Sequence, residues 1–349
     1  MLRLTGSLNR LALVAILATF ATTGCGSVSA EPPTAPQSPP SYRPLVQQLA
    51  GEVRDAEALK HLEALQKIAD GHGGNRAAGT TGYDASVEYV ADVLRDTGFK
   101  VSTPTYDASG EDGDGATGSG RNVIAQTRTG DPGQVVMIGA HLDSVTDGPG
   151  IVDDGSGVAS LLEIATQLGA DPSVQNTVRF AFFGHEEDDG QGSTGYVESL
   201  SERDRKKIKL YLNVDMVASS NGGYFVQGGK GSDAETAGPA GSATIGRVLA
   251  DQLAKAGVTN PEFIEFVGDD ESPFIEAGIP VGGAENGDED EKTAKQAKAW
   301  GGEAGEPYDA CYHEACDRID KVNRDVLNHY MRGLAGTLAH FATSTDELR

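Results

Sequence analysis

Val135-Val136-Met137-Ile138-Gly139-Ala140-His141-Leu142-Asp143 couples an apolar run to a histidine and an acid. Val135 to Gly139 is unbroken and ends just before His141, the pattern of a strand buried at the centre of a sheet. Two more such runs follow: Thr177 to Phe183 ends at Gly184, and Lys209 to Val214 ends at Asp215. Between the first two, a Gly-Ser-Gly turn leads into a helix expected over Gly155 to Leu168. Strands alternating with helices imply an α/β fold, with a mixed, mostly parallel central sheet flanked by helices. In such sheets the ligand crevice opens at the carboxyl ends of the strands. His141, Glu186, Glu187 and Asp215 all fall there.

Upstream, apolar positions at helical spacing from Leu45 to Ile68 predict one helix over 45–70, closed by the Gly71 to Arg76 segment. A second helix is expected from Tyr83 to Thr97, stopped by Gly98. Strands are expected over Lys100 to Tyr106 and Asn122 to Thr127, with a polar turn at 108–120 between them. Downstream, residues 284–306 read as a long polar loop at the rim of the crevice.

Five segments in chain order carry the chemistry. They are Gly139 to Asp143, Val152 to Gly157, Gly184 to Glu187, Asn213 to Met216, and Cys311 to His313. Each has a bland reading when taken alone: a histidine after a strand is usually structural, a Glu-Glu pair usually solvated, and Asp-Asp-Gly-Ser-Gly usually a turn. Together they supply the donors for two zinc ions. One metal takes His141 and Asp215, the other Glu187 and His313, and the two oxygens of Asp153 bridge them, leaving a position open for shared water. Such a pair makes a bridging hydroxide at neutral pH and hydrolyses amides. Asp143 is placed to accept the proton of the other His141 nitrogen. Consecutive side chains at a strand end diverge, so Glu186 can face the water while Glu187 ligates, which makes Glu186 the general base. Tyr312 is the candidate hydrogen-bond donor to the oxyanion. His61, His72, His185, His329 and His340 lack such neighbours and are read as structural or exposed. Manganese and cobalt also suit mixed His/carboxylate sites; ligand type favours zinc.

The chain has 349 residues and a formal net charge of −24, which argues against nucleic acid and against docking to anionic lipid. Hydrophobic content of 38% suits a globular protein. Arg3 and Arg10 with the apolar stretch Leu11 to Phe20 read as an export signal, too short to span a bilayer. Thr22-Thr23-Gly24-Cys25 resembles a lipobox that would lipidate Cys25, and Val28-Ser29-Ala30 offers an ordinary cleavage site. The expected division is a signal peptide over 1–24, a Pro-rich tether over 25–44 and one catalytic domain over 45–349. The product would face outward as a membrane lipoprotein or be secreted, as a monomer touching membrane only through lipid on Cys25. Cys311 and Cys316 flank His313, and an oxidising compartment allows them to pair.

These residues resemble the secreted di-zinc aminopeptidases of peptidase family M28 over roughly residues 65 to 340. Gly74 to Ala77, Tyr83 to Val87, Gly195 to Val197, Lys298 to Gly302 and Cys316-Asp317 extend the likeness beyond the metal segments. The resemblance implies a zinc exopeptidase fold, two zinc ions per chain and removal of N-terminal residues from peptides. It implies His141, Asp153, Glu187, Asp215 and His313 as ligands, Glu186 as base, Asp143 behind His141, Tyr312 at the oxyanion, and a Cys311–Cys316 disulfide. Three departures stand out. Gly268 to Phe274 lacks the arginine that family members use near the substrate terminus. The segment after Gly282-Gly283 reads Ala-Glu-Asn-Gly-Asp-Glu-Asp-Glu where an aromatic is usual. Asn328 and Arg332 stand where some relatives place calcium-binding aspartates, so no structural calcium is expected. The second departure assigns Glu285, helped by Asp288 and Glu289 and with Met216, to the pocket for the first side chain and favours Lys or Arg there; a solvated acidic loop is the plainer account. Competing functions are a carboxypeptidase or dipeptidase with the same metal pair, a single-zinc glutaminyl cyclase, and a non-catalytic peptide-binding lipoprotein.

Overall fold

The run from Val135 is the innermost strand of the molecule. The structure, a computed structural model, describes residues 44–109, 117–345 and 348. Among these are ten strands: β1 (Lys100–Ser102), β2 (Thr105–Ser109), β3 (Thr117–Arg121), β4 (Val123–Gln126), β5 (Asp131–His141), β6 (Asn176–Phe183), β7 (Ile208–Val214), β8 (Phe225–Gln227), β9 (Glu262–Ile264) and β10 (Val281–Glu285). Eight form one sheet in the order β1-β4-β6-β5-β7-β10-β8-β9, and β2 pairs with β3 as a separate hairpin. The centre, β6-β5-β7-β10, is parallel throughout; β4, β1 and β8 join antiparallel. This is the mixed, mostly parallel sheet expected. Because the four central strands run the same way, their carboxyl ends lie along one edge.

Alternate side chains of β5 leave opposite faces. Val136, Ile138 and Ala140 enter a large apolar core with the helices Asp55–Gly71, Thr81–Asp96, Gly155–Leu168, Ser242–Ala256 and Arg324–Thr343. Val135 and Met137 enter a smaller core on the other face, where the rings of Tyr211 and Phe274 stack at 4.0 Å. Both faces are therefore covered, which is why the central strands read as continuous apolar runs.

Several expectations need correction. The helix expected over 45–70 is two helices, Leu45–Glu52 and Asp55–Gly71. Val53 is extended at the break, and the Arg54 amide donates to Glu163 Oε1 at 2.9 Å, a tertiary partner 109 residues away. The strand expected over 100–106 is split between two sheets at Thr103-Pro104, where proline has no amide to donate to a ladder. The stretch 284–306 is not a plain loop: β10 runs to Glu285, and a helix spans Ala294–Trp300, started by a reciprocal capping box between Thr293 and Gln296. The helix Gly155–Leu168 has the expected bounds, with Asp154 accepting from the Gly157 amide as its N-cap, worth about 1 kcal/mol. The signal peptide, Cys25 and nearly all the tether lie outside the described residues, as does the tip of the β2–β3 turn.

Candidate metal centre

The carboxyl ends of the central strands converge on one crevice. His141 is the last residue of β5 and pairs in register with Phe183, the last of β6; Gly184-His185-Glu186-Glu187 follows directly. Asp215 follows β7, and its amide donates to Ala284 of β10 at 3.1 Å. Gly184 has no room for a side chain, since a Cβ there would collide with the Tyr83 hydroxyl. The Tyr106 hydroxyl, from the β2–β3 hairpin, lies 2.7 Å from His185 Nδ1 and holds the turn that presents both glutamates. His185, Met216 and His313 all have positive φ, three of the five such non-glycine residues described. Each adjoins a candidate functional side chain, in keeping with the tendency of backbone strain to collect at sites.

Asp153 sits between two imidazoles. Its Oδ1 is 3.0 Å from His141 Nε2 and its Oδ2 is 3.2 Å from His313 Nε2. Asp215 Oδ1 lies 3.5 Å from His141 Nε2, and Glu187 Oε2 lies 2.9 Å from His313 Nε2. Two donor groups thus share one carboxylate. His141, Asp153 and Glu187 form one cluster of ligand atoms within 4.8 Å of one another, and His141, Asp154 and Asp215 form a second. Asp143 approaches His141 Nδ1 only to 3.7 Å, beyond hydrogen-bond reach, and instead accepts from the Glu186 amide at 3.3 Å.

The electrostatics show what this cluster lacks. Burial opposes a charge on His141, yet the carboxylates of Asp215, Asp143 and Asp153 outweigh it and hold its pKa well above the usual value. Hydrogen bonds to Asp153 and Glu187 push His313 up to about 10. Burial pushes Glu187 up to about 7 and Glu186 well above its usual range. Glu187 Oε1, Asp215 Oδ1 and His141 Nδ1 are buried without a hydrogen-bond partner. Orphaned carboxylate oxygens and imidazoles recruited as cations describe a site that demands positive charge, and the donor set suits divalent metal ions.

Several supports were not legible as such in the sequence. Arg76 is fully buried; its guanidinium donates to the carbonyls of Leu142, Pro149 and Gly150, tying the His141 segment to the Asp153 loop. Asp317 accepts from the amides of Val152 and Asp153 at 2.7 and 3.1 Å. Asp154 accepts from the Met216 amide at 3.0 Å besides capping its helix, joining the Asp153 loop to the Asp215 turn. An Asp just before Gly-Ser-Gly is an N-cap signal and could have been found. Asp317 and Arg76 stand in quoted segments, but nothing local marks them as buried. Asp269 was also missed: its carboxylate is within 4.8 Å of those of Glu186 and Asp215.

Cys311 and Cys316 are joined by a disulfide that brackets His313. Tyr312 stacks on the His313 ring at 3.8 Å, and burial pushes its hydroxyl pKa up, so it stays protonated and able to donate. The short loop makes the bond worth about 2 kcal/mol by chain entropy. Replacing both cysteines by serine is expected to lower the unfolding free energy by that amount and to weaken metal binding about tenfold through a loosened His313. Titration with zinc and urea unfolding of the same variant check both parts.

The pattern of Peptidase family M28 matches residues 122–338. The chain belongs to peptidase family M28. Its class follows: a peptide hydrolase of the metallo-aminopeptidase type. Among curated relatives, "Probable lipoprotein aminopeptidase LpqL" of Mycobacterium tuberculosis is 33% identical, with 94% of this chain and 93% of the relative covered. "Leupeptin-inactivating enzyme 1" of Streptomyces exfoliatus is 41% identical over 78% of this chain, and an aminopeptidase of Pseudomonas aeruginosa is 45% identical over 64%. The chain spans 58% and 42% of those two proteins. The zinc aminopeptidase BSAP from Bacillus subtilis has a similar fold, with a TM-score of 0.65 at 17% identity over 84% of this chain and 96% of that one. A Porphyromonas gingivalis glutaminyl cyclase shares the fold at a TM-score of 0.62 and 21% identity, over 82% of this chain and 98% of that one.

Proposed function

We propose that this M28 chain is an exported di-zinc aminopeptidase that removes N-terminal residues from peptides. The observation that carries the reading is Asp153, poised between His141 and His313 with Asp215 and Glu187 on its two flanks. His141 and Asp215 would hold one zinc, Glu187 and His313 the other, and Asp153 both. Zinc bound there supplies a Lewis acid and lowers the pKa of water. Glu186 points no hydrogen bond elsewhere among the described residues and is the group to take a proton from the attacking water and return it to the leaving amine. Asp143 holds the Glu186 backbone, and the Tyr312 hydroxyl donates to the carbonyl oxygen as it gains charge. Among the described residues no helix is long and apolar enough to cross a membrane. Kinship with a protein named as a lipoprotein supports export with Cys25 as the lipid site.

The test is hydrolysis of amino-acid p-nitroanilides by the purified chain, with metal analysis on the same sample. The expected result is nitroaniline release with about two zinc per chain, abolished by a chelator and restored by zinc. Release that survives complete chelation would end the metal reading. One zinc per chain, with pyroglutamate formed from N-terminal glutamine, would favour the cyclase chemistry.

A further inference from the structure

Beside the metal centre lies a second feature, a cavity of about 630 Å³ at the end of β10. Six carboxylates line it, those of Glu262, Glu265, Glu285, Asp288, Asp290 and Glu291, and no Lys, Arg or His does. Glu262 is neutralised by Lys295 at 2.7 Å; the other five have no ion pair among the described residues. The Glu285 carboxylate has only a 3.4 Å contact from the Gln227 side-chain amide among the described residues. The cavity also has an apolar side, where the rings of Phe225 and Tyr308 meet edge to face at 5.3 Å.

Its walls are continuous with the candidate metal centre. Glu285 follows Ala284, whose carbonyl accepts from the Asp215 amide, and Asn286 donates to the Met216 carbonyl at 3.0 Å. On the other side, Asp288 and Asp290 accept through their carbonyls from Asp309 and Tyr308, in the segment that leads to Tyr312 and His313. A separate observation points to a cation on this side. Asp269 is partly buried, its carboxylate has no hydrogen-bond partner among the described residues, and it lies within 4.8 Å of Glu186 and Asp215. Three carboxylates around one point suit the ammonium of a peptide N-terminus. That ammonium and the first side chain leave the same carbon, so the pocket for that side chain must lie near the three carboxylates. None of the three lines this cavity, but Glu285 on its wall is near enough to Asp215 and Asp269 for their charges to act on one another. A smaller cavity of about 260 Å³, at Glu187 and His313, lies on the opposite flank and is left for the rest of the peptide.

Resting on the aminopeptidase reading, we propose that the cavity behind Glu285 receives the first side chain and selects lysine or arginine. The aliphatic stem of such a residue lies along Phe225 and Tyr308, and its charged tip reaches the acidic wall. An apolar side chain would bury nothing for those carboxylates to pair with.

The experiment compares kcat/KM for Lys-, Arg-, Leu- and Met-p-nitroanilides in the full protein, in Glu285→Gln and in Asp290→Asn. Binding of lysinamide and leucinamide is measured by calorimetry on the same samples. The expected result is a preference for Lys over Leu of about tenfold or more, reduced about tenfold in Glu285→Gln and less in Asp290→Asn. Each ratio is internal to one protein sample, so partial misfolding does not mimic it. Equal binding of the two amides, or a Lys-to-Leu ratio unchanged in both variants, overturns the pocket. Absence of turnover with a retained lysinamide preference would overturn the aminopeptidase reading and keep the cation pocket.

Discussion

Glu186→Gln is expected to lower kcat about 100- to 10,000-fold while zinc content and thermal midpoint stay at wild-type values. The amide has the shape of the acid but cannot accept a proton. Glu186 suits this role because its neighbours fix its backbone and leave its carboxylate free: the main-chain amide donates to Asp143, and no described residue hydrogen-bonds the side chain. Burial raises its pKa well above that of a surface glutamate, the direction a group needs if it is to carry a proton during turnover and release it afterwards. Glu187, one residue on, leans instead to His313 at 2.9 Å, so Glu187→Gln should lose metal as well as activity. Residual Glu186→Gln activity above about one tenth of wild type would move the base elsewhere. Asp269, within 4.8 Å, is the next carboxylate to test.

Arg76→Ala is expected to destabilise the fold by about 3–5 kcal/mol, the usual cost of stripping a buried charge from its partners. The guanidinium is enclosed and serves three carbonyls, which the alanine would leave unpaired. Its charge is also attracted by the buried carboxylates of Asp143, Asp317, Asp154 and Asp153. Removing it takes away attraction as well as hydrogen bonds. For a domain of this size the loss corresponds to a fall in Tm of roughly 5–8 °C. Arg76→Lys keeps the charge but not the planar fork, and should fall between the two. Urea midpoints of the three proteins in apo and zinc-loaded form decide the matter. A loss under about 1 kcal/mol for the alanine variant would mean that water replaces the guanidinium without cost.

The buried centre of this protein was readable in one dimension because burial leaves a local mark. A strand covered on both faces must be apolar along its length, so β5, β6 and β7 announced themselves, and the acids at their ends stood out against the runs. β8 and β9 are three residues each, and β10 is Val-Gly-Gly-Ala-Glu, too short and too rich in glycine to carry a period. Their place in the sheet comes from neighbours, not from their own residues. The helix break at Val53 has the same origin, since what holds Arg54 is a glutamate 109 positions on.

By itself, then, the sequence determined the α/β plan, the helix over Gly155–Leu168 and the set of side chains at the strand ends, because each of these rests on patterns within a dozen residues. Tertiary structure alone decided which oxygen of Asp153 meets which imidazole, that Asp143 serves the Glu186 backbone more closely than His141, and that Asp269 faces Glu186. It also decided that Arg76 and Asp317 hold the loops that carry His141 and Asp153. Those are contacts between segments tens to hundreds of residues apart, set by how a twisted parallel sheet brings its carboxyl ends together, and no local period records them.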